Sequence, residues 1–243
     1  MMEKDSIVRL NEAIQINSAI TLLQRKTWNV LLANAFDKLL DEEIHVMDLS
    51  ELRSILGLNG RNDERLRQLL VELNTCQIEW NILGKDKSAE WVTTTFLAGA
   101  EIKNGRVYYG YFKDLKEKLY SPRMYARINL SMQNKFSSKY ALALYELFVD
   151  YFDVSRNYGE TPWISVPIFR KLMGIADDEY PRFYDLKKRA ITLAVDEIHG
   201  MPDINFLIED CYKTHGRTVK KIKFKIWPKN VVKLLPTDSS YGD

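Results

Sequence analysis

At 243 residues, with 46% hydrophobic side chains and a formal net charge of only +2, the chain has apolar surface for one large core or two modest ones. Its two cysteines, Cys76 and Cys211, stand at no motif spacing, which excludes a disulfide scaffold and points to a reducing compartment. The opening MMEKDSIVRL has no apolar signal core and no run approaches the roughly 18 apolar residues of a membrane span, so a soluble cytoplasmic protein with no membrane partner is expected.

In chain order, the predicted elements begin with a short strand over Asp5–Asn11. Leu22, Leu23, Val30, Leu31, Ala35, Phe36, Leu39 and Leu40 then mark a long helical region. A shorter helix is predicted from Val46 to Gly57, capped by Asp48 or Ser50, apolar through Leu49, Leu52, Ile55 and Leu56, and stopped by Gly57. Asn59-Gly60 turns the chain into a third helix, Asp63–Leu73, whose core face is Leu66, Leu69, Leu70 and Leu73, with Arg65, Gln68 and Glu72 outward. Ile78–Leu83 and Trp91–Leu97, joined by the polar turn Gly84–Ala89, read as a hairpin. A second hairpin turns at Asn104-Gly105 into the tyrosine-rich Val107–Tyr111. That tyrosine-rich strand has no obvious partner following it and is expected to be an exposed edge that supports self-association. Lys113–Tyr120 is a short charged helix. Ser121-Pro122 with Arg123–Leu130 is the expected connection to a second domain, because proline biases the residue before it out of helix.

Organisation then restarts. Ser137–Phe152 is helical and apolar on most sides, with Tyr140, Leu144, Leu147 and Tyr151 as its stripe, and is expected deep in the second domain. Trp163–Val166 is a short strand, and Pro167 opens a helix packed through Phe169, Leu172 and Met173 and ended by Gly174. Pro181–Gly200 follows as an amphipathic helix: Phe183, Leu186, Ala190, Leu193, Ala194 and Ile198 form one face, and Arg182, Asp185, Lys188, Arg189 and Thr192 the other. After Pro202-Asp203, a strand beginning at Ile204–Ile208 runs to the tip Lys213–Arg217. A return strand, Thr218–Trp227, alternates Ile222, Phe224 and Ile226 with Lys221, Lys223 and Lys225. From Cys211 to Thr237 there are eight lysines and arginines and no acidic residue. A nearly neutral chain that concentrates positive charge on one hairpin and the helix before it carries the footprint of a nucleic-acid face.

The two halves repeat one another. Asp48–Leu58 parallels Ser165–Ile175, and in each half a short helix ends at glycine, a longer amphipathic helix follows, and a hairpin with a polar tip comes next. Two helices joined by a tight turn and followed by a strand pair are a helix-turn-helix with a wing. The expected fold class is therefore α+β: two tandem winged-helix domains, one over residues 1–130, a second over 131–235, and a flexible tail at 236–243.

Ser138–Leu147, the Trp163 strand, Leu172-Met-Gly-Ile175, Tyr180 with Phe183, Leu186-Lys-Lys-Arg189, Ala194–Ile198, and Lys213 with Gly216-Arg217 before Ile222 and Phe224 closely resemble the iteron-binding plasmid replication initiators. The likeness is dense from about Ser131 to Trp227 and thinner before it. The resemblance implies two winged-helix domains that bind direct repeats of double-stranded DNA at an origin and promote its opening. It further implies recruitment of host initiator and helicase proteins, and a homodimer in equilibrium with monomer that represses its own gene.

No GxxxxGK[ST] phosphate loop occurs, and His45, His199 and His215 have no metal-ligand spacing, so no cofactor, metal or catalytic residue is expected. Trp80, Trp91 and Trp163 read as core residues, each lying in an apolar strand. The candidate DNA-binding residues are Arg182, Asp185, Lys188, Arg189 and Thr192 on the helix, and Lys213, His215, Arg217 and Lys221 on the wing. Arg61, Arg65 and Arg67 join them as first-domain phosphate contacts. A tandem winged-helix transcription repressor shares all of these features. A nickase is the alternative from another class, but the paired histidines that accompany a nicking tyrosine are missing.

Overall fold

In the computed structural model the residues described are 6–10, 20–58, 63–79, 93–120 and 125–229. The turns expected at Asn59-Gly60 and Gly84–Ala89, the residues Arg61, Trp80 and Trp91, the Ser121-Pro122 break and the 236–243 tail lie outside them.

Strand β1 (Ser6–Leu10) precedes helix α1 (Leu22–Ala35). A reciprocal cap starts that helix: Thr21 Oγ accepts from the Gln24 N–H at 3.2 Å, and Gln24 Oε1 accepts from the Thr21 N–H at 2.6 Å. The stretch predicted as one helix from Val46 divides into strand β2 (His45–Asp48) and helix α2 (Leu49–Leu56). His45 and Met47 point inward and Val46 and Asp48 outward, the alternation of a strand rather than a helix. Of the two expected caps, Asp48 stands at the N-cap and Ser50 lies inside the helix; the Asp48 carboxylate makes no capping bond and instead accepts from Arg106 Nε at 3.1 Å.

Helix α3 (Asp63–Thr75) buries Leu66, Leu69, Leu70 and Leu73 as its pattern requires. The hairpin β3 (Gln77–Glu79) with β4 (Thr93–Thr95) follows, and then β5 (Gly99–Lys103) with β6 (Arg106–Gly110). The last turn is tight because Asn104 and Gly105 both hold positive φ, 51° and 72°. The tyrosine-rich β6 is no edge: it lies between β2 and β5, with Tyr109 and Tyr111 buried, and among the described residues β2 and β5 are the outer strands of this sheet. After α4 (Lys113–Leu119) comes β7 (Tyr125–Asn129), which pairs antiparallel with β1. The expected connection between domains is therefore a strand tied back to the first strand of the chain.

Helix α5 (Leu130–Lys135) leads to α6 (Lys139–Tyr151), capped by Ser138 Oγ, which accepts from the N–H groups of Tyr140 and Ala141 at 3.2 and 3.4 Å. Short strands β8 (Phe152–Asp153), β9 (Tyr158–Glu160) and β10 (Ile164–Ser165) precede α7 (Val166–Met173). Helix α8 (Phe183–Leu186), a π-helical segment (Lys187–Thr192) and α9 (Leu193–Gly200) then run without a break. Strands β11 (Phe206–His215) and β12 (Thr218–Pro228) close the second sheet, in which β12 pairs with β11 on one side and with β10 and β9 on the other. Phe148, Phe169 and Phe224 meet in its core, with ring centroids 5.2 and 6.0 Å apart around Phe224.

Helix α6 belongs to both halves rather than to the second alone. It packs on α7 and α9, yet its buried Glu146 accepts from Arg25 of α1 at 2.6 Å and from Asn29 of α1 at 3.0 Å. Asn29 also donates to Gln133 of α5 at 2.9 Å, and Lys26 Nζ donates to the carbonyls of Asn134 and Phe136 at 3.2 and 2.9 Å. Charged groups are tolerated at such depth only when paired and hydrogen-bonded, so this network sets where the halves meet.

Candidate nucleic-acid interface

Two helix-turn-helix units arise from the same local chemistry. Gly57 and Gly174 both end their helices in the left-handed region, at φ 67° and 58°. In each unit the N–H after the glycine returns to the carbonyl five residues back, Leu58 to Arg53 and Ile175 to Arg170, both at 3.0 Å. In each, too, the strand before the first helix pairs with the second strand of a hairpin: β2 with β6, and β10 with β12. The internal repeat thus extends from the helices to the wings.

In the second unit the turn is held by two side chains, Arg170 and Glu179. The Arg170 guanidinium donates to the carbonyls of Ala176 at 3.1 Å, Glu179 at 2.7 Å and Tyr180, while Glu179 Oε2 accepts from the Ala176 N–H at 3.1 Å. Tyr180, at φ 47°, redirects the chain into the 183–200 helix, and Arg189 lies over its ring at 5.9 Å. Arg182, Lys188, Arg189 and Thr192 are exposed along this helix and Asp185 is half-buried. The predicted core face needs one correction: Leu193 is exposed and Ile191 is buried in its stead. The π-helical segment is the cause, since its wider turns shift the phase of every residue after Leu186.

The base of the wing is fixed to the start of that helix. Phe183 meets the Tyr212 ring edge-on at 5.3 Å, and Lys187 lies over the same ring at 4.6 Å while pairing with Asp210 at 3.6 Å. Among the described residues, the lysines of the wing strands differ in their surroundings. Lys223 pairs with Glu160 at 2.8 Å and Lys225 with Glu209 at 3.6 Å, so acids from β9 and β11 neutralise the base of the wing. Toward the tip, Lys213 stands directly across from Lys221, and neither makes an ion pair among the described residues. Like charges facing across a strand pair repel, and an anion lying on them relieves that repulsion. His215 and Arg217 are exposed beside the two-residue turn at Gly216, φ 59°. Trp163 is half-buried rather than a core residue, with Lys213 and Lys223 over its ring at 4.5 and 5.4 Å.

The first unit is less basic. Arg53 of α2 pairs with Asp63 at the start of α3, and Arg67 with Glu64 at 3.6 Å. Arg65 and Arg67 are exposed on α3, and Arg61 lies outside the described residues. The three histidines are scattered. His45 is buried against Tyr109 and Tyr111, His199 Nε2 accepts from the Ile208 N–H at 3.0 Å, and His215 is at the wing tip. Among the described residues no group of three His, Cys, Asp or Glu side chains could hold a metal ion, and no helix is long and apolar enough to cross a membrane.

Residues 6–149 match the family model described as Initiator Replication protein, WH1, and residues 165–226 match Initiator Rep protein, WH2. Among solved structures, the chain is similar to the Pi initiator protein in complex with iteron DNA. The TM-score is 0.66 at 16% identity, covering 94% of this chain and 99% of that one. At that identity the likeness is one of fold: two winged-helix domains in tandem. A structure of domains 2 and 3 of RctB gives a TM-score of 0.42 at 11% identity over 86% of this chain and 82% of that one. No curated protein matches the chain.

Proposed function

This chain belongs to the initiator replication protein family, carrying its WH1 and WH2 units in tandem, and on that footing we propose that it initiates plasmid replication by reading direct repeats in double-stranded origin DNA. The observation that supports this most is the charge arrangement of the second domain. The exposed cations Arg182, Lys188 and Arg189 lie on one helix, and the wing attached to that helix is neutralised at its base, while Lys213 and Lys221 make no ion pair among the described residues. Arginine on the helix can pair with guanine O6 and N7 in the major groove, while the wing lysines neutralise phosphate without reading sequence. The iteron DNA held by the Pi initiator agrees with this reading. Arg65 and Arg67 of the first domain add phosphate contacts.

Binding of several copies to adjacent repeats bends the duplex, opens the origin and recruits host initiator and helicase proteins. The chain acts in the cytoplasm by binding alone, without bond chemistry of its own. A second copy joins through the outer strand β5, and the dimer represses the gene when a site overlaps its promoter. Selection of bound fragments from the replicon that carries the gene, followed by footprinting, tests the proposal. Tandem direct repeats are expected, and protection confined to a single inverted repeat at a promoter would leave a repressor instead.

A further inference from the structure

The 183–200 helix departs from α geometry in the middle of its cationic face. Seven residues make nearly two turns of an α-helix at about 3.6 residues per turn, which would stack Leu193 over Leu186 in the core. Across Lys187–Thr192 the backbone is π-helical, and its five-residue bonding completes fewer turns over the same stretch. The consequence is an exchange: Ile191 is 1% exposed and takes the core position, while Leu193 is 59% exposed. Leu193 emerges next to Thr192 and one turn beyond Lys188 and Arg189, all three exposed, with exposed Asp196 one turn further on.

A large apolar side chain set among cations suits a target that is anionic as a whole yet offers apolar groups within reach. The floor of the DNA major groove meets both requirements, because the thymine C5-methyl is the one apolar group on the base edges displayed there. We propose that Leu193 determines sequence specificity by packing on the 5-methyl group of a thymine in the bound site. The π-helical segment is the device that turns it outward. This rests on the DNA reading proposed above, and charge complementarity with Arg182, Lys188 and Arg189 selects DNA over other occupants of the face.

The test uses the full chain and a cognate duplex taken from selection. Each thymine is replaced in turn by deoxyuridine, which removes the methyl group and leaves the hydrogen-bonding edge unchanged. At one or two positions the affinity of the unaltered protein is expected to fall about fourfold, the equivalent of burying one methyl-sized group. Leu193→Ala should lose the same factor on the thymine duplex and show no further loss on the uracil duplex at those positions. Because Leu193 is exposed, the variant should melt with the unaltered protein, and the uracil scan of the unaltered protein does not depend on it. Specific binding with no methyl-sensitive position, or a Leu193→Ala protein that keeps the full sensitivity, overturns this inference and leaves the DNA reading standing. Failure to select any preferred sequence overturns both.

Discussion

Arg189 and the Lys213–Arg217 tip differ in what they offer a duplex, and their substitutions should differ in kind. Arg189 is exposed on a helix and steadied over the Tyr180 ring, so its fork has a defined direction. Arg189→Ala is expected to cost about 1–3 kcal/mol on the cognate site and much less on random DNA. Lys213→Ala with Arg217→Ala should weaken both alike and reduce the slope of log affinity against log salt by roughly 0.9 for each lost contact. Competition titrations at several salt concentrations separate the two, and full discrimination by the Arg189 variant would place base reading elsewhere. Two histidines set a pH limit of another sort. Burial, and then Lys116, hold His45 below its ordinary 6.5, and burial followed by Lys229 does the same for His199. The unfolded chain takes up these protons near pH 6.5 while the fold resists them. The stabilising contribution is therefore complete above about pH 6.5 and lost as the pH falls through the depressed folded values. Melting temperature should fall from pH 7.5 to pH 5.5, and more gently in His45→Gln; an equal fall in both would remove His45 from the account.

Among the elements, the turn between α7 and the 183–200 helix depends on Arg170, which satisfies three carbonyls that the glycine stop leaves outside helical bonding. Arg170→Ala should destabilise the chain by about 2 kcal/mol in urea titrations and lower DNA affinity although Arg170 reads no base. Arg170→Lys should recover little, since one ammonium cannot span the carbonyls that a planar fork reaches. An unchanged unfolding midpoint in Arg170→Ala would show that water replaces it. Strand β5 makes the second case: it is an outer strand of its sheet among the described residues, and Ala100 is exposed on it. Sedimentation of the whole chain at micromolar concentration should show dimers, and Ala100→Pro should shift them toward monomers by removing a donor from the edge. A chain that stays monomeric at every concentration would end the claim.

At the scale of the whole molecule, the relative placement of the two domains rests on ionised groups taken out of water. Arg25 and Glu146 are 6% and 8% exposed, and Glu146 is shared between Arg25 and Asn29. Glu146→Gln removes the carboxylate charge that the buried Arg25 guanidinium faces across the two halves, which should cost about 3 kcal/mol or more. Because α6 carries contacts of both halves, unfolding should remain a single transition in the unaltered chain and lose cooperativity in the variant. Denaturation followed by tryptophan fluorescence and by circular dichroism would show this as midpoints that separate; coincident midpoints would mean that apolar packing alone joins the halves.

The sequence by itself determined whatever depends on short-range periodicity. The leucine face of α3, the alternation of Ile222, Phe224 and Ile226 with lysines, and the matching glycine stops at Gly57 and Gly174 all follow from a spacing of 2 or 3.6 residues and from a backbone region that glycine enters freely. These sufficed for two winged helices and a basic second wing. What periodicity cannot carry was decided in three dimensions. Val46 joins a strand because β6 lies beside it, some 60 residues later in the chain. Acids from β9 and β11 neutralise the base of the wing and leave its tip without an ion pair among the described residues. Arg25 finds Glu146 across 121 residues, and a π-helical segment exchanges Leu193 for Ile191. Each outcome turns on a partner or a helical phase that no local window contains, because pairing, burial of charge and core packing are settled only when distant segments meet.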